Sequence, residues 1–316
     1  MSSTTCLALS GGVGGAKLAL GLSHAMDPAK LLIVANTGDD FDHLGLRICP
    51  DIDTVTYTLS GLANPSTGWG RKDESWSFME TLESLGGETW FRLGDRDLAL
   101  HVERTRRLGD GESLSAITDA IATRLAISCR IAPMSDDPVR TIVETPNGPL
   151  AFQHYFVRDQ CRPAVTGFRF DGADSARPGP TLKAALTSAA LKMVVICPSN
   201  PFISIDPILA IPTVREMLTD CPAPVIAVSP IVGGRAIKGP TAKMLAELRR
   251  PSSALAIAEH YRGLIDGFII DTADAGSADA ISELGSQVRI TNTVMKSIQD
   301  RVSLARDVVA FAQELH

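Results

Sequence analysis

The stretch CLALSGGVGGAK, residues 6–17, is the part of the sequence that decides the fold. It joins a short apolar run to a glycine-rich turn, and residues 16–25 continue with the spacing of a helix. A second apolar run, residues 30–36, follows that helix. Short apolar runs on either side of a helical segment are typical of a β-α-β unit. The segment therefore predicts two parallel strands joined by a crossover helix.

The same rhythm returns in the second half of the chain. Four short, mainly apolar runs occupy residues 193–197, 225–228, 268–270 and 288–290. Runs of this kind suit strands that helices cover on both faces, as in parallel sheets. We predict an α/β fold in one domain, residues 1–316, with a Rossmann-like, mostly parallel sheet flanked by helices. Its core is predicted to comprise about residues 1–60 and 190–316.

Residues 61–189 are predicted to form an insertion in this core. Helical spacing marks residues 75–85, 95–108 and 113–125. Further on, β-rich runs at 141–145 and 150–156 flank Asn147-Gly148, a pair that favours a tight hairpin because both residues accept positive φ. The insertion should therefore contain a helical layer and a small β-hairpin.

Composition limits the kind of protein this can be. The net charge is −6 and the basic residues are scattered, so no basic surface is available for a nucleic-acid partner. No apolar stretch approaches the roughly 18 residues of a membrane span, and the first residues lack a signal-peptide pattern, so we expect a cytoplasmic protein without a membrane partner. Six dispersed cysteines, and six histidines without metal-binding spacing, count against zinc hydrolysis.

The glycine-rich turn, residues 10–17, is the first candidate site. Backbone amides at the start of a helix form a natural cradle for phosphate. The pattern is not the P-loop, which needs G-x-x-x-x-G-K followed by Ser or Thr. It is not the dinucleotide fingerprint either, because a lysine stands where the third glycine of the fingerprint would be. A turn that merely packs helix on strand is the alternative. The predicted phosphate-binding residues are Gly11, Gly12, Gly14, Gly15 and Lys17.

Two acidic segments follow. NTGDD, residues 36–40, comes directly after the second strand, at the edge where open α/β sheets bind ligands. Asp39 and Asp40 could hold Mg2+ against a diphosphate, or could lie in an ordinary turn. In CPDIDT, residues 49–54, either acid could cap a helix. Asp51 and Asp53 are two residues apart and should point in different directions, so at most one of them faces the site.

Three further polar loops complete the set. RLGDRD, residues 92–97, is a charged turn that could equally carry surface ion pairs. MSDDP, residues 134–138, and PSNP, residues 198–201, each close a strand-like run. Such loops offer hydrogen bonds to a base or a carboxylate, but they also occur as ordinary turns.

Seven segments occur in an order that is specific for one family. They are SGGVGGAK (10–17), NTGDD (36–40), CPDIDT (49–54), LGDRD (93–97), PMSDDP (133–138), PSNP (198–201) and SPI (229–231). With these segments the sequence resembles the CofD family, the phospholactate transferases of coenzyme F-420 biosynthesis, from residue 9 to about residue 271.

The resemblance implies a reaction. A phosphorylated three-carbon acid (phospholactyl, enolpyruvyl phosphate or phosphoglyceryl) would pass from its guanosine diphosphate ester to the terminal hydroxyl of the deazaflavin Fo, releasing GMP in the presence of Mg2+. It also implies a homodimer, and Fo contacts by Asp53 and Arg92. Asp53 would act as general base or position the hydroxyl. We expect Ser199 and Asn200 near the guanosine, with Asp136 accepting from guanine N–H groups.

Two other functions remain open at this point. One is a regulatory protein of the same superfamily, similar to the gluconeogenesis factors that bind a nucleotide sugar. The 49–54 and 93–97 segments favour the transferase, because they are the parts that would receive Fo. The other is an NAD-dependent dehydrogenase, which the incomplete glycine fingerprint disfavours.

Overall fold

The structure is a computed structural model that describes residues 4–315. Seven strands form its central sheet, and the other seven form three small sheets. The strands are β1 (Cys6–Ser10), β2 (Leu31–Ala35), β3 (Phe41–His43), β4 (Leu46–Ile48), β5 (Arg130–Pro133), β6 (Arg140–Glu144), β7 (Leu150–Ala151), β8 (Gly167–Asp171), β9 (Met193–Ile196), β10 (Val225–Val228), β11 (Ile231–Val232), β12 (Arg235–Ala236), β13 (Gly267–Asp271) and β14 (Gln287–Thr291).

Helices connect these strands. They are α1 (Gly12–Ala25), α2 (Pro50–Leu59), α3 (Ser77–Ser84), α4 (Asp95–Gly109), α5 (Leu114–Arg124), α6 (Pro180–Leu186), α7 (Asp206–Leu209), α8 (Val214–Thr219), α9 (Thr241–Glu247), α10 (Ala254–His260), α11 (Ala278–Ser282) and α12 (Ile298–Glu314). Short 3-10 turns cover Pro28–Lys30, Ala173–Ser175 and Thr272–Ser277, and π-helical turns cover His154–Arg158 and Pro201–Ile205.

The central sheet is parallel throughout. Its strand order is β14-β13-β10-β9-β1-β2-β5, with register pairs such as Leu7 opposite Leu32 on one side and Val194 on the other. The chain moves outward from β1 through β2 to β5, and then returns to the other side of β1 with β9. The order therefore reverses between β1 and β9, which is where open sheets of this kind form their ligand crevice.

Two apolar layers cover the sheet. Alternate residues of β1 and β2, such as Ala8 and Ile33, pack with α1 and α12 on one face. The intervening residues, such as Leu9 and Val34, pack with α6, α8 and α10 on the other. Because both faces are buried, these strands have no polar side, which explains their continuous apolar sequence. The predicted α/β fold, with a parallel sheet flanked by helices, is confirmed.

The part of the chain between residues 61 and 189 differs in detail from expectation. β5 lies within it and forms an edge strand of the central sheet beside β2. β6 pairs with β7 as the hairpin predicts, and β8 adds a third strand. The predicted strand at 150–156 is wrong beyond Ala151, because the chain turns helical there and buries Phe152 and Tyr155, three residues apart, on one side.

Candidate active site

The glycine turn and the loop after β9 meet at the crevice between β1 and β9. The Gly11 amide donates to Ser199 Oγ at 3.1 Å, and the Ser199 hydroxyl donates to the Gly11 carbonyl oxygen at 2.8 Å. A side chain at Gly14 would collide with the carbonyl oxygen of Pro198, and Gly12 has φ of 61°. Gly14 is therefore needed for close packing of α1 against the 197–200 loop, and Gly12 for its left-handed backbone conformation.

The same turn keeps amides free for a ligand. The first turn of a helix has N–H groups without partners in the helix. Ser199 and Asp51 accept from Gly11 and Gly12, respectively. The amides of Val13 and Gly14 have no acceptor outside α1 within residues 4–315. The turn thus combines the packing role with a helix N-terminus where these two amides lack such acceptors.

Asp51 joins the glycine turn to the acidic loop after β2. Its Oδ1 accepts from the Gly12 amide at 2.6 Å, and its Oδ2 accepts from Asn36 Nδ2 at 2.9 Å. Asn36 also donates to the Ile203 carbonyl oxygen and accepts from the Gly38 amide. Sequence reasoning did not assign a role to Asn36. Its place directly after β2, at the carboxyl edge of the sheet, was the available signal.

The two acids of the loop are buried with unsatisfied oxygens. Asp39 and Asp40 are 7% and 3% exposed, and one carboxylate oxygen of each has no hydrogen-bond partner. Burial, together with the charges of Asp51 and Asp40, raises the pKa of Asp39 well above its ordinary value. Burial likewise raises the pKa of Asp40 to about 7 and that of Asp51 to about 6. The charges of Asp51 and Asp40 therefore oppose ionisation of Asp39, and burial opposes ionisation of all three acids.

We expect Asp40→Asn to stabilise the metal-free protein more at pH 8 than at pH 5. The unfolded carboxyl group ionises near pH 4 and the folded one near pH 7, so the wild type loses folding free energy as the pH rises through this window. The amide does not titrate, and the gain should reach the order of 2 to 4 kcal/mol above pH 7. Urea unfolding with a chelator present measures it. Asp119→Asn, an exposed change on α5, should show no such trend.

Asp53 points away from Asp51, toward α4, as their spacing predicts. Both of its carboxylate oxygens accept from the Arg104 guanidinium, and Arg104 is 1% exposed. His101 lies beside this pair, with Nδ1 at 3.7 Å from Asp53 Oδ2 and Nε2 at 3.3 Å from Asp97 Oδ2. The Tyr57 hydroxyl donates to Asp97 Oδ1 at 2.5 Å. A buried ionic network therefore fastens α2 to α4.

This network has the residue types of a metal site but not its charge. One ligand atom from each of Asp53, Asp97 and His101 lies within 4.8 Å of the others. The Arg104 guanidinium already neutralises Asp53, so a cation there would meet a positive charge. The unsatisfied oxygens of Asp39 and Asp40 lie outside this network, and metal binding by these two acids stays a prediction.

Arg92 lies on the surface, outside this network. Its guanidinium stacks over the Trp76 ring at 4.1 Å and lines a cavity of about 300 Å³. The preceding residues, Trp90 and Phe91, pack with the ring of His43, shortly after the acidic loop. Arg92 and Asp53, the two predicted Fo contacts, do not touch each other among the described residues.

The structure gives other partners to three predicted nucleotide contacts. Lys17 Nζ donates to the Met295 carbonyl oxygen at 2.9 Å. Asn200 caps the 201–205 turn by accepting from the Phe202 amide. Asp136 Oδ1 accepts from the Ser115 amide in the first turn of α5. Each residue therefore has a structural role, and nucleotide binding by these three stays a prediction.

Comparison with known proteins places the chain in a family. The model of the 2-phospho-L-lactate transferase CofD family matches residues 6–305. The chain belongs to the CofD family. It is therefore a transferase, as the resemblance implied. A phosphoenolpyruvate transferase from Streptomyces griseus is 41% identical over 313 residues, 97% of this chain and 98% of the relative. A 2-phospho-L-lactate transferase from Methanopyrus kandleri is 39% identical over 311 residues, 97% of both chains.

Solved structures agree with this CofD chain at the level of the fold. A crystal structure of a UPF0052 family member from Bacillus halodurans superposes with a TM-score of 0.65 and 16% identity, covering 98% of this chain and 99% of the other. At that identity the likeness concerns the architecture alone. In the described part of the chain, every helix is too short or too polar to cross a membrane.

Proposed function

We propose that this CofD protein transfers a phosphorylated three-carbon acid from a guanosine diphosphate ester to the terminal hydroxyl of Fo, releasing GMP. The observation that carries the proposal is the crevice between β1 and β9. There an open helix N-terminus faces buried carboxyl groups with unsatisfied oxygens. Phosphoryl transfer needs charge neutralisation and in-line positioning more than covalent help from the protein.

The glycine turn is proposed to hold the donor diphosphate. The free amides of Val13 and Gly14 point from the start of α1, where the helix dipole favours negative charge. Ser199 supports the turn through its two bonds to Gly11, so its contribution is to keep the amides in place. Lys17, predicted to bind phosphate, would have to leave the Met295 carbonyl oxygen to do so.

Asp39 and Asp40 are proposed to hold Mg2+, with Asp51 as a third carboxylate. The fit rests on their unsatisfied buried oxygens and on their mutual repulsion, which a divalent cation would relieve. When bound, Mg2+ would neutralise charge on the donor diphosphate and on the leaving GMP. The Asn36 amide holds Asp51 in its place, and its oxygen shapes the loop by accepting from Gly38.

The acceptor Fo is proposed to approach from the side of α2 and the 90–92 segment. Trp90 and Phe91 form an aromatic surface with His43 beside the acidic loop, which suits a flat deazaflavin ring. Arg92 lies at the end of that surface. Asp53 is proposed to meet the polyol chain, and a hydroxyl there would share the carboxylate with Arg104.

The test is turnover with defined substrates. The purified protein is incubated with Fo, Mg2+ and the guanosine diphosphate ester of lactate, enolpyruvate or glycerate, and the mass of the deazaflavin is followed together with GMP. We expect a product with at least one donor. The names of the relatives lead us to include both the lactate and the enolpyruvate ester.

A negative result would have a defined meaning. Guanosine diphosphate binding without transfer from any donor would contradict the transferase activity proposed here. It would favour the regulatory, nucleotide-binding alternative. A reaction without Mg2+ serves as the internal control. It should be slow, because no divalent cation would then neutralise the charge of the acidic loop and the donor diphosphate.

A further inference from the structure

Three arginines act on the Asp40 carboxyl group by charge, and one of them, Arg140, has Asp40 as its main opposite charge but forms no ion pair among the described residues. Burial is the largest influence on the pKa of Asp40, and the charges of Arg140, Arg104 and Arg47 oppose it. Arg47 forms an ion pair with Asp42 at 2.7 Å. Arg104 forms the buried ion pair with Asp53. Arg140 forms no ion pair within residues 4–315. Among those residues its guanidinium makes one hydrogen bond, from Nη1 to the Val139 carbonyl oxygen at 2.7 Å.

The backbone fixes Arg140 beside the acidic loop. It is the first residue of β6, and the next amide, that of Thr141, donates to the Gly38 carbonyl oxygen at 2.7 Å. Gln153 Nε2 donates to the Asp39 carbonyl oxygen at 3.1 Å, which ties the loop to the same part of the chain. The backbone at Arg140 is therefore tied to the acidic loop through the neighbouring Thr141 amide.

The nearest cross-strand acid does not neutralise Arg140. Asp171 lies directly opposite it in the antiparallel pair of β6 and β8. The Asp171 carboxylate instead pairs with Arg169, which also binds Glu144 at 2.7 Å. The half-buried Arg140 guanidinium is therefore not ion-paired with the acid opposite it.

The open donors of Arg140 have the geometry of an anion site. A guanidinium presents planar pairs of N–H groups that match a carboxylate in two parallel hydrogen bonds. The donor diphosphate is assigned to the other end of the crevice, at the glycine turn. The three-carbon acid extends beyond the second phosphate, and each of the three candidate acids carries a carboxylate.

We propose that Arg140 binds the carboxylate of the three-carbon acid carried by the donor. The inference rests on the proposed function and adds a specificity residue to it. Arg140 would select an acid over a neutral alkyl group, and it would not distinguish lactate, enolpyruvate and glycerate from one another. Loss of this contact should weaken recognition of the acid group of the donor and leave the binding of its guanosine diphosphate portion unchanged.

The experiment compares two donors that differ only in charge: the guanosine diphosphate ester of lactate and that of lactamide. For the wild type we expect kcat/KM with Fo to be on the order of 100-fold higher for the lactate ester. Arg140→Gln should lose about that factor with the lactate ester and change less than about threefold with the lactamide ester. Arg140→Lys, which keeps the charge without the planar fork, should fall between the two.

Controls separate binding from folding. Arg169→Gln removes a paired, exposed arginine of the neighbouring strand and should leave the ratio between the donors unchanged. Arg140→Gln should bind guanosine diphosphate as tightly as the wild type in calorimetry. Equal losses with both donors would overturn the inference while leaving the transferase proposal standing. A wild type inactive with every donor would overturn the proposed function, and this inference with it.

Discussion

Asp51→Asn is expected to lower kcat/KM for transfer to Fo by at least about 100-fold. The carboxylate accepts from the Gly12 amide and from Asn36 with its two oxygens. An amide has only one oxygen, so its NH2 group would face one of these donors. The substitution therefore removes a charge at the proposed metal site and also loosens the link between the glycine turn and the acidic loop.

The Mg2+ dependence of the rate distinguishes this from general damage. The concentration of Mg2+ that gives half the maximal rate should rise in Asp51→Asn, because a carboxylate is lost beside Asp39 and Asp40. Asp119→Asn makes the same chemical change on the surface and should have no effect on rate. Near wild-type activity of Asp51→Asn at low Mg2+ would show that the crevice is not built around this residue.

Arg104→Met is expected to reduce the free energy of unfolding by about 3–5 kcal/mol at pH 7. It leaves the Asp53 charge buried, at 6% exposure, without its guanidinium partner. Urea unfolding measures the loss. The double variant Arg104→Met/Asp53→Leu should recover most of it, because an apolar pair needs no compensating charge.

The double variant also tests the proposed role of Asp53 without the instability. If Asp53 meets Fo, the refolded double variant should bind guanosine diphosphate normally but turn over Fo poorly. Normal turnover of Fo by this variant would show that Asp53 has only the structural role seen in its pair with Arg104. If Arg104→Met alone unfolds no more easily in urea than the wild type, the expected cost of leaving the Asp53 charge without its partner is wrong.

The sequence predicts the sheet well where burial is complete. β1, β2, β9, β10 and β13 lie in buried apolar runs bounded by turn residues, and that pattern needs no knowledge of distant parts of the chain. β14 is a partly exposed edge strand that contains Arg289, so its prediction rested on Val288 and Ile290 alone. The strand-like run that MSDDP closes is β5, but its place in the central sheet was not predicted, because Arg130–Pro133 is a short edge strand with an exposed arginine and a proline. The aromatic residues after Ala151 resembled a strand, since bulky residues favour both strands and buried helical turns.

The sequence predicts which loops form the site but not which side chains bond to one another there. Glycines and acids that follow strands must gather at one edge of a parallel sheet, so their proximity follows from the order of elements. The spacing of Asp51 and Asp53 predicts opposite directions, yet their partners depend on how α4 packs about 50 residues away. The sequence around Arg140 does not indicate a binding role, because the position of Arg140 depends on how the β7-β6-β8 sheet packs against the acidic loop.

The paired bonds between Gly11 and Ser199 have a consequence for biosynthesis. These residues are separated by 188 positions, and the glycine turn packs against the 197–200 loop. A ribosome adding roughly 5–20 residues per second would need about 10 to 40 s to supply the missing half. The nascent chain therefore cannot form these two bonds, or the packed glycine turn they support, until about two thirds of it has been translated.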